Sequence, residues 1–163
     1  MNGNRVAILT NAGGPGILAT DECERRGLQV PELSGRAREE LRKVLSPYAS
    51  VTNPIDTIAQ ADYNQYHRCV QILQEENDVD AILSVIVVPT FAKIGMNTHA
   101  RAIVDSWNGS KPIVTCFMSG EVATSSIRYM LINKIPSYPS PERAAAAMGA
   151  LWNYSKWYHE HYG

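Results

Sequence analysis

Thr10-Asn11-Ala12-Gly13-Gly14-Pro15-Gly16-Ile17-Leu18 follows directly on the apolar run Val6 to Leu9 and precedes a helical pattern. The order reads as strand, glycine turn, helix. At such a turn Gly13 and Gly14 permit positive φ and leave no Cβ between the main chain and a ligand. Pro15 suits the first helical position, where an N–H would have no partner in any case. The amides of Gly16, Ile17 and Leu18 are then expected to point out of the helix start. With the roughly half-unit positive charge of the macrodipole they make an anion site suited to phosphate. The competing reading is a glycine turn that only lets the helix pack closely. Two nucleotide motifs are excluded. No Gly-Lys-Ser/Thr follows the turn. Ala19 stands where the third glycine of GxGxxG would fall, and Glu32, at the tip of the expected second strand, cannot make that good.

Outward from this turn the chain repeats the same alternation. Gly27 stops the first helix, Leu28 to Leu33 reads as a second strand, and Ser34 caps a helix marked by Ala37, Leu41, Val44 and Leu45. Residues 49–56 form an extended piece between two helices, where plain alternation would have none; Pro54 keeps Asn53 out of the α region. Asn53 and Asp56 thereby sit on a stiff support. Tyr63, Tyr66, Val70 and Leu73 mark a helix over about 62–76, and Val79 to Val88 is an apolar run suited to a central parallel strand. A polar loop opened by Pro89-Thr90 leads to a helix with Ala100, Ile103, Val104 and Trp107. Pro112 to Phe117 is the fourth strand, Ser119-Gly120 a second glycine turn, and Ala123, Ile127, Met130 and Leu131 a helical stripe. Ile135 to Tyr138 is a brief fifth strand. Ser140-Pro141 then starts a last helix expected to bury Ala144, Ala147, Met148, Leu151 and Tyr158.

Strands separated by helical patterns of this length imply βαβ units. The prediction is a three-layer flavodoxin-like (Rossmann-type) α/β domain over residues 1–163, its five-stranded, mostly parallel sheet carrying helices on both faces. Ligands of such sheets bind outside the carboxyl ends of the strands. The loops expected there are Asn11 to Gly16, Pro89-Thr90, Ser119-Gly120 and Asn53 to Asp56.

The 163 residues are 45% hydrophobic and 19% charged with net charge -1, which fits one globular domain and argues against a nucleic-acid footprint. No stretch approaches the ~20 apolar residues of a membrane span, and the N-terminus has no signal-peptide core, so a cytoplasmic protein is expected. Cys23, Cys69 and Cys116 have no metal-ligand spacing and read as buried hydrophobes, Cys116 included. His67, His99, His159 and His161 read as surface or boundary residues without chemistry. Asp21 either faces the anion site or is a solvated helix residue. Trp152, Tyr154, Trp157 and Tyr158 spread over more of the last helix than one sheet face covers, which suggests a docking face and a homo-oligomer.

Residues 5–21 resemble the opening of the succinyl-CoA-synthetase-like flavodoxin domain of NDP-forming acyl-CoA synthetases, the ADP-forming acetyl-CoA synthetase family. Asn53-Pro54-Ile55-Asp56 resembles that family's NPxD segment and Val79-Asp80-Ala81 its VDA strand entry. Lys111-Pro112-Ile113-Val114 is similar to its KPV strand, and Ile135-Pro136-Ser137-Tyr138 through Pro141-Glu142-Arg143-Ala144 to its closing IPxY and PERA. The resemblance implies interconversion of acyl-CoA, phosphate and ADP with free acid, CoA and ATP through an acyl phosphate and a phosphohistidine. It further implies that a neighbouring domain carries the histidine and others bind CoA and, through an ATP-grasp module, nucleotide with Mg. This domain would bind no cofactor alone and supply no catalytic residue or metal ligand. Asn11, Gly13, Gly14, Gly16 and Ile17 would hold phosphate, with Asn53 and Asp56 shaping the adjacent loop. Two other functions compete: a regulatory ligand-binding module in a synthetase-like region fused to an acetyltransferase, and flavin binding, against which the loop's lack of a Ser/Thr-rich run argues.

Overall fold

The computed structural model describes residues 1–88 and 97–163. β1 (Val6–Thr10) is followed by α1 (Gly13–Arg25), α2 (Gly35–Val44), β2 (Ile55–Asp56) and α3 (Tyr63–Glu75). Then come β3 (Ala81–Val87), α4 (Thr98–Ser106), β4 (Ile113–Met118), α5 (Thr124–Ile132), β5 (Ser137–Tyr138) and α6 (Pro141–Tyr162). The strands form one parallel sheet in the order β2-β1-β3-β4-β5, a flavodoxin-like arrangement. β1 and β3 are paired over five residues, from Val6 with Ala81 to Thr10 with Val85. The connection after β1 runs to β2 on one side and the connection after the neighbouring β3 runs to β4 on the other, so the switch point lies at the carboxyl ends of β1 and β3.

Alternation along the strands divides the core between two faces. Val6, Ile8, Leu83, Val85, Val114 and Cys116 meet α1 and α6, with Ala19, Cys23, Ala144 and Met148. Ala7, Leu9, Ile82, Ile86, Ile113 and Phe117 meet α2 to α5. Ser84 interrupts the β3 run because the Tyr66 hydroxyl reaches it across that second face at 2.9 Å. Caps follow the sequence closely. Ser34 accepts from the Ala37 amide, Asp62 and Gln65 form a capping box, and Ser140 accepts from Arg143 ahead of Pro141.

The expected second strand is displaced. Leu28 to Leu33 makes only one parallel bridge, Gln29 with Arg5. Pro31 has no N–H to continue a ladder. The edge position beside β1 is filled from the 49–56 piece instead. Asn53, joined to Pro54 by a cis peptide bond, accepts from the Ile8 amide at 2.9 Å and donates to the Val6 and Pro31 carbonyls at 2.9 and 3.0 Å. Its side-chain amide thus stands in for a peptide unit of the missing strand, and Ile55-Asp56 take over beside Leu9 and Thr10.

α6 also departs from expectation. Its buried positions end at Ser155, and Tyr158, expected inside, is 48% exposed. The last two turns run past the amino edge of the sheet, where the Met1 ammonium donates to Ser155 Oγ.

Candidate functional site

The carboxyl end of β1 leads into α1 through a turn held by one side chain. Thr10 Oγ1 accepts from the Ala12 amide at 3.1 Å and donates to the Ala12 carbonyl at 3.0 Å. α1 begins at Gly13, two residues earlier than a first helical position at Pro15. Its N-cap, Ala12, offers no capping side chain, and its first turn holds no acidic residue. The start is therefore uncapped from within. Pro15 occupies the third helical position, and the Gly16 amide already bonds the Ala12 carbonyl at 3.2 Å. Ile17 and Leu18 lie inside the helix, where amides bond the carbonyls four residues back. The open donors thus move from Gly16, Ile17 and Leu18 to Gly13 and Gly14, whose amides have no acceptor among the described residues. Both glycines are exposed, and a Cβ on Gly14 would meet nothing within 4 Å.

The glycines differ in what they do. Neither Gly13 nor Gly14 takes positive φ, so the conformational argument falls away and only the missing side chain matters. Gly16 is small for packing, since a Cβ there would come 3.0 Å from Thr10 Cγ2. A Cβ on Gly13 would lie 3.3 Å from Asp56 Oδ2. That places the Asp56 carboxylate beside the first turn of α1. Its Oδ1 accepts from the Ile58 amide at 2.9 Å, whereas Oδ2 has no hydrogen-bond partner among the described residues.

The other expected site residues separate. Asn11 is 4% exposed and turned inward, its amide bridging the Val87 carbonyl and amide at 2.8 and 2.9 Å. Its side chain locks β1 to β3 and is not free to hold phosphate. Asn53 pairs with the middle of β1, away from the carboxyl edge, so of that segment only Asp56 reaches the edge. Ser119 and Gly120 follow β4 with φ of 112° and 55°, and Ser119 Oγ donates to the Val88 carbonyl at 3.0 Å. Pro89 and Thr90 lie outside the described residues. Asp21 is exposed two turns along α1 from Gly13, and Glu32 is exposed beyond the unformed strand.

No histidine or cysteine joins the edge as a reactive group. His99 differs from expectation in being 4% exposed: Nε2 contacts the Ala61 carbonyl at 3.1 Å, and burial holds the imidazole below its ordinary value. His159 and His161 bond carbonyls of their own helix. Burial pushes the Cys23, Cys69 and Cys116 thiols up to about 12, which makes them inert core groups. Among the described residues no group of acidic, His or Cys side chains suits a metal ion.

Two supporting residues escaped the sequence reading. Tyr66, fully buried, donates to the Leu9 carbonyl at 3.2 Å, and Thr57 bonds the Thr10 carbonyl through both amide and hydroxyl. Tyr66 reads as an ordinary apolar-face residue of its helix, so nothing in sequence reports its hydroxyl. Thr10 could have been found, because a threonine two residues before a helix N-cap, here Ala12, is a common turn former.

The fold and this edge define a flavodoxin-like α/β domain with an open helix start at the switch point. The chain belongs to the Ligase-CoA domain family, whose model matches residues 6–160. It is 43% identical over 157 residues to the acetate–CoA ligase [ADP-forming] II subunit alpha of Pyrococcus furiosus, covering 94% of this chain and 34% of that one. To the acetate–CoA ligase [ADP-forming] I of Archaeoglobus fulgidus it is 34% identical, covering 93% and 21%. A crystal structure from Pyrococcus horikoshii superposes with a TM-score of 0.92 at 41% identity over 95% of this chain and 36% of that one. The dinucleotide forming acetyl-coenzyme A synthetase 1 of Ca. Korarchaeum cryptofilum, solved in complex with phosphate and ADP, gives 0.86 at 29% identity, covering 95% and 34%. The chain therefore spans about a third or less of the length of these relatives.

Proposed function

We propose that residues 1–163 are one module of an ADP-forming acyl-CoA synthetase, and that the start of α1 cradles the phosphoryl group of a phosphohistidine supplied by another domain. The observation that carries this reading is the pair of exposed amides at Gly13 and Gly14, without an acceptor among the described residues, on a helix start with no capping side chain. Such donors, aligned with the helix dipole, favour an oxyanion without any charged side chain. The likeness to ligases, one of them solved with phosphate and ADP, supports the synthetase over the regulatory module. In this reading CoA, ADP or ATP and Mg bind to CoA-binding and ATP-grasp domains or subunits, and this chain alone is inactive. A cytoplasmic setting belongs to the reading and is supported by three free, buried thiols; among the described residues no helix is long and apolar enough to cross a membrane.

Titration of the isotope-labelled chain with inorganic phosphate tests the cradle. The Gly13 and Gly14 amide resonances should move saturably, and Gly14→Glu, which puts a carboxylate over the same donors, should abolish the shift. Unmoved resonances sink the reading.

Self-association through α6 is a second part of the proposal. Tyr154, Trp157, Tyr158 and Tyr162 are 46–70% exposed and contact one another along the helix. Sedimentation should show the mass rising with concentration, and Trp157→Ser with Tyr158→Ser should keep the chain monomeric.

A further inference from the structure

α6 carries a second periodicity on the side turned away from the sheet. Its buried positions, among them Ala144, Ala145, Met148 and Gly149, pack on α1, β3, β4 and β5. The opposite side is a continuous stripe, Arg143, Ala147, Ala150, Tyr154, Trp157 and His161, spaced alternately by four and three residues. That is the 3.5-residue repeat of a two-helix seam, and at 1.5 Å per residue it runs for about 27 Å. Every member is exposed except Ala147, which is half-buried.

The stripe changes size halfway. After Arg143 come two alanines, then aromatic rings, with Trp157 stacked on His161 at 5.0 Å and 6.0 Å from Tyr154. Two such stripes in parallel would set alanine on alanine at one end and tryptophan on tryptophan at the other. A single helix separation, about 8–10 Å according to side-chain size, cannot close both ends. Arg143 would also meet its own copy. Reversing one helix removes both conflicts. In the antiparallel register Ala147 faces the partner's Trp157, Ala150 faces the partner's Tyr154, and Arg143 faces the partner's His161 beside the Trp157 ring, a surface that a guanidinium favours. The set reads the same from either chain, as a two-fold interface requires.

We infer that α6 pairs antiparallel with α6 of a second copy of this chain, the alanine half of each helix receiving the Tyr154 and Trp157 rings of the other. This rests on the self-association reading above and supplies its orientation and register. Ala147 and Ala150 act as sockets. The aromatic side chains stand exposed in a single chain because their sockets lie on another.

A size swap read by sedimentation equilibrium tests this. Trp157→Ala empties the socket at the partner's Ala147, and Ala147→Trp fills it from the wrong side. Each should weaken the dimer at least about ten-fold, the scale of one aromatic anchor lost. The double variant Ala147→Trp with Trp157→Ala exchanges large for small within the same pair, so it should dimerise within about three-fold of the wild type. Cross-linking reads the register without altering Trp157. An equimolar mixture of Ala150→Cys and Tyr154→Cys chains should oxidise to the mixed disulfide in preference to either homodimer, since the native thiols are buried. A wild-type chain that stays monomeric overturns the self-association reading and this inference with it. A dimer indifferent to both single swaps uses another face and overturns both likewise. A dimer that the single swaps weaken, that the double swap does not restore and that cross-links only as homodimers keeps α6 as the interface and overturns the antiparallel register.

Discussion

The two ends of β1 are treated differently. Its entry and middle are tied down by side chains: Arg5 reaches both Asp80 oxygens at 2.9 and 3.0 Å and Asp78 at 3.1 Å, and Asn53 serves Val6 and Ile8. Four residues further on, Thr10 opens into two amides and one carboxylate oxygen that have no partner among the described residues. Matching polar groups inside the chain makes a strand stay where it is; leaving them unmatched at an exposed edge reserves them for something outside the chain. The contrast falls within a single tetrapeptide, since Asn53 serves the closed end and Asp56 the open one.

The largest expected effect comes from breaking the closed end at Asn53. Asn53→Ala strips partners from the Ile8 amide and from the Val6 and Pro31 carbonyls at once. A buried group left unpaired costs about 1–3 kcal/mol, and these are partly buried, so urea unfolding should show a loss of about 2–4 kcal/mol. Asp56→Asn, three residues on, should change stability by less than about 0.5 kcal/mol. Equal losses at the two positions would erase the distinction between the ends.

Asp80 sharpens the same comparison through pH. The Arg5 guanidinium, joined by the Arg5 amide at 3.0 Å, outweighs burial and holds the Asp80 carboxyl below its ordinary 3.8. A depressed folded value means that the pair's contribution is complete above the unfolded value and is lost as pH falls through the folded one. Asp80→Asn should therefore cost about 2 kcal/mol at neutral pH, moderated because the Arg5 side chain is 34% exposed. The difference from wild type should shrink below about pH 3.8. A difference that persists undiminished to strongly acidic pH rejects the ion pair as its cause.

These ends were unequally legible in sequence. Periodicity located β1, β3, β4 and most of the helices, because each buries a continuous face and so writes its period into the residues. The edge strand did not. Leu28 to Leu33 has the better strand composition, but Pro31 breaks its ladder, and a side-chain amide from Asn53 fills the place with no periodic signal at all. The glycine turn was legible as an open helix start, while its register was not, since Pro15 suits more than one position in a first turn. Asn11 shows the limit most clearly: a polar residue beside glycines reads the same whether it faces a ligand or, as here, bridges Val87. Pairing across strands is decided by tertiary register, which a single strand does not encode.

The smallest effect separates glycines that the sequence treats alike. Gly16 faces Thr10 at 3.0 Å, so Gly16→Ala overpacks the β1–α1 joint and should cost about 1–2 kcal/mol. Gly14 faces nothing within 4 Å and has no positive φ, so Gly14→Ala should leave stability unchanged or raise it by up to about 0.5 kcal/mol. Its methyl group nevertheless leans towards the helix start, over the open amides. Phosphate titration should then show weaker binding in the more stable protein. A glycine kept for packing loses stability when replaced; one kept for a ligand loses only the ligand. If Gly14→Ala both destabilises the chain and leaves the titration unchanged, the open end of β1 is no different in kind from the closed one.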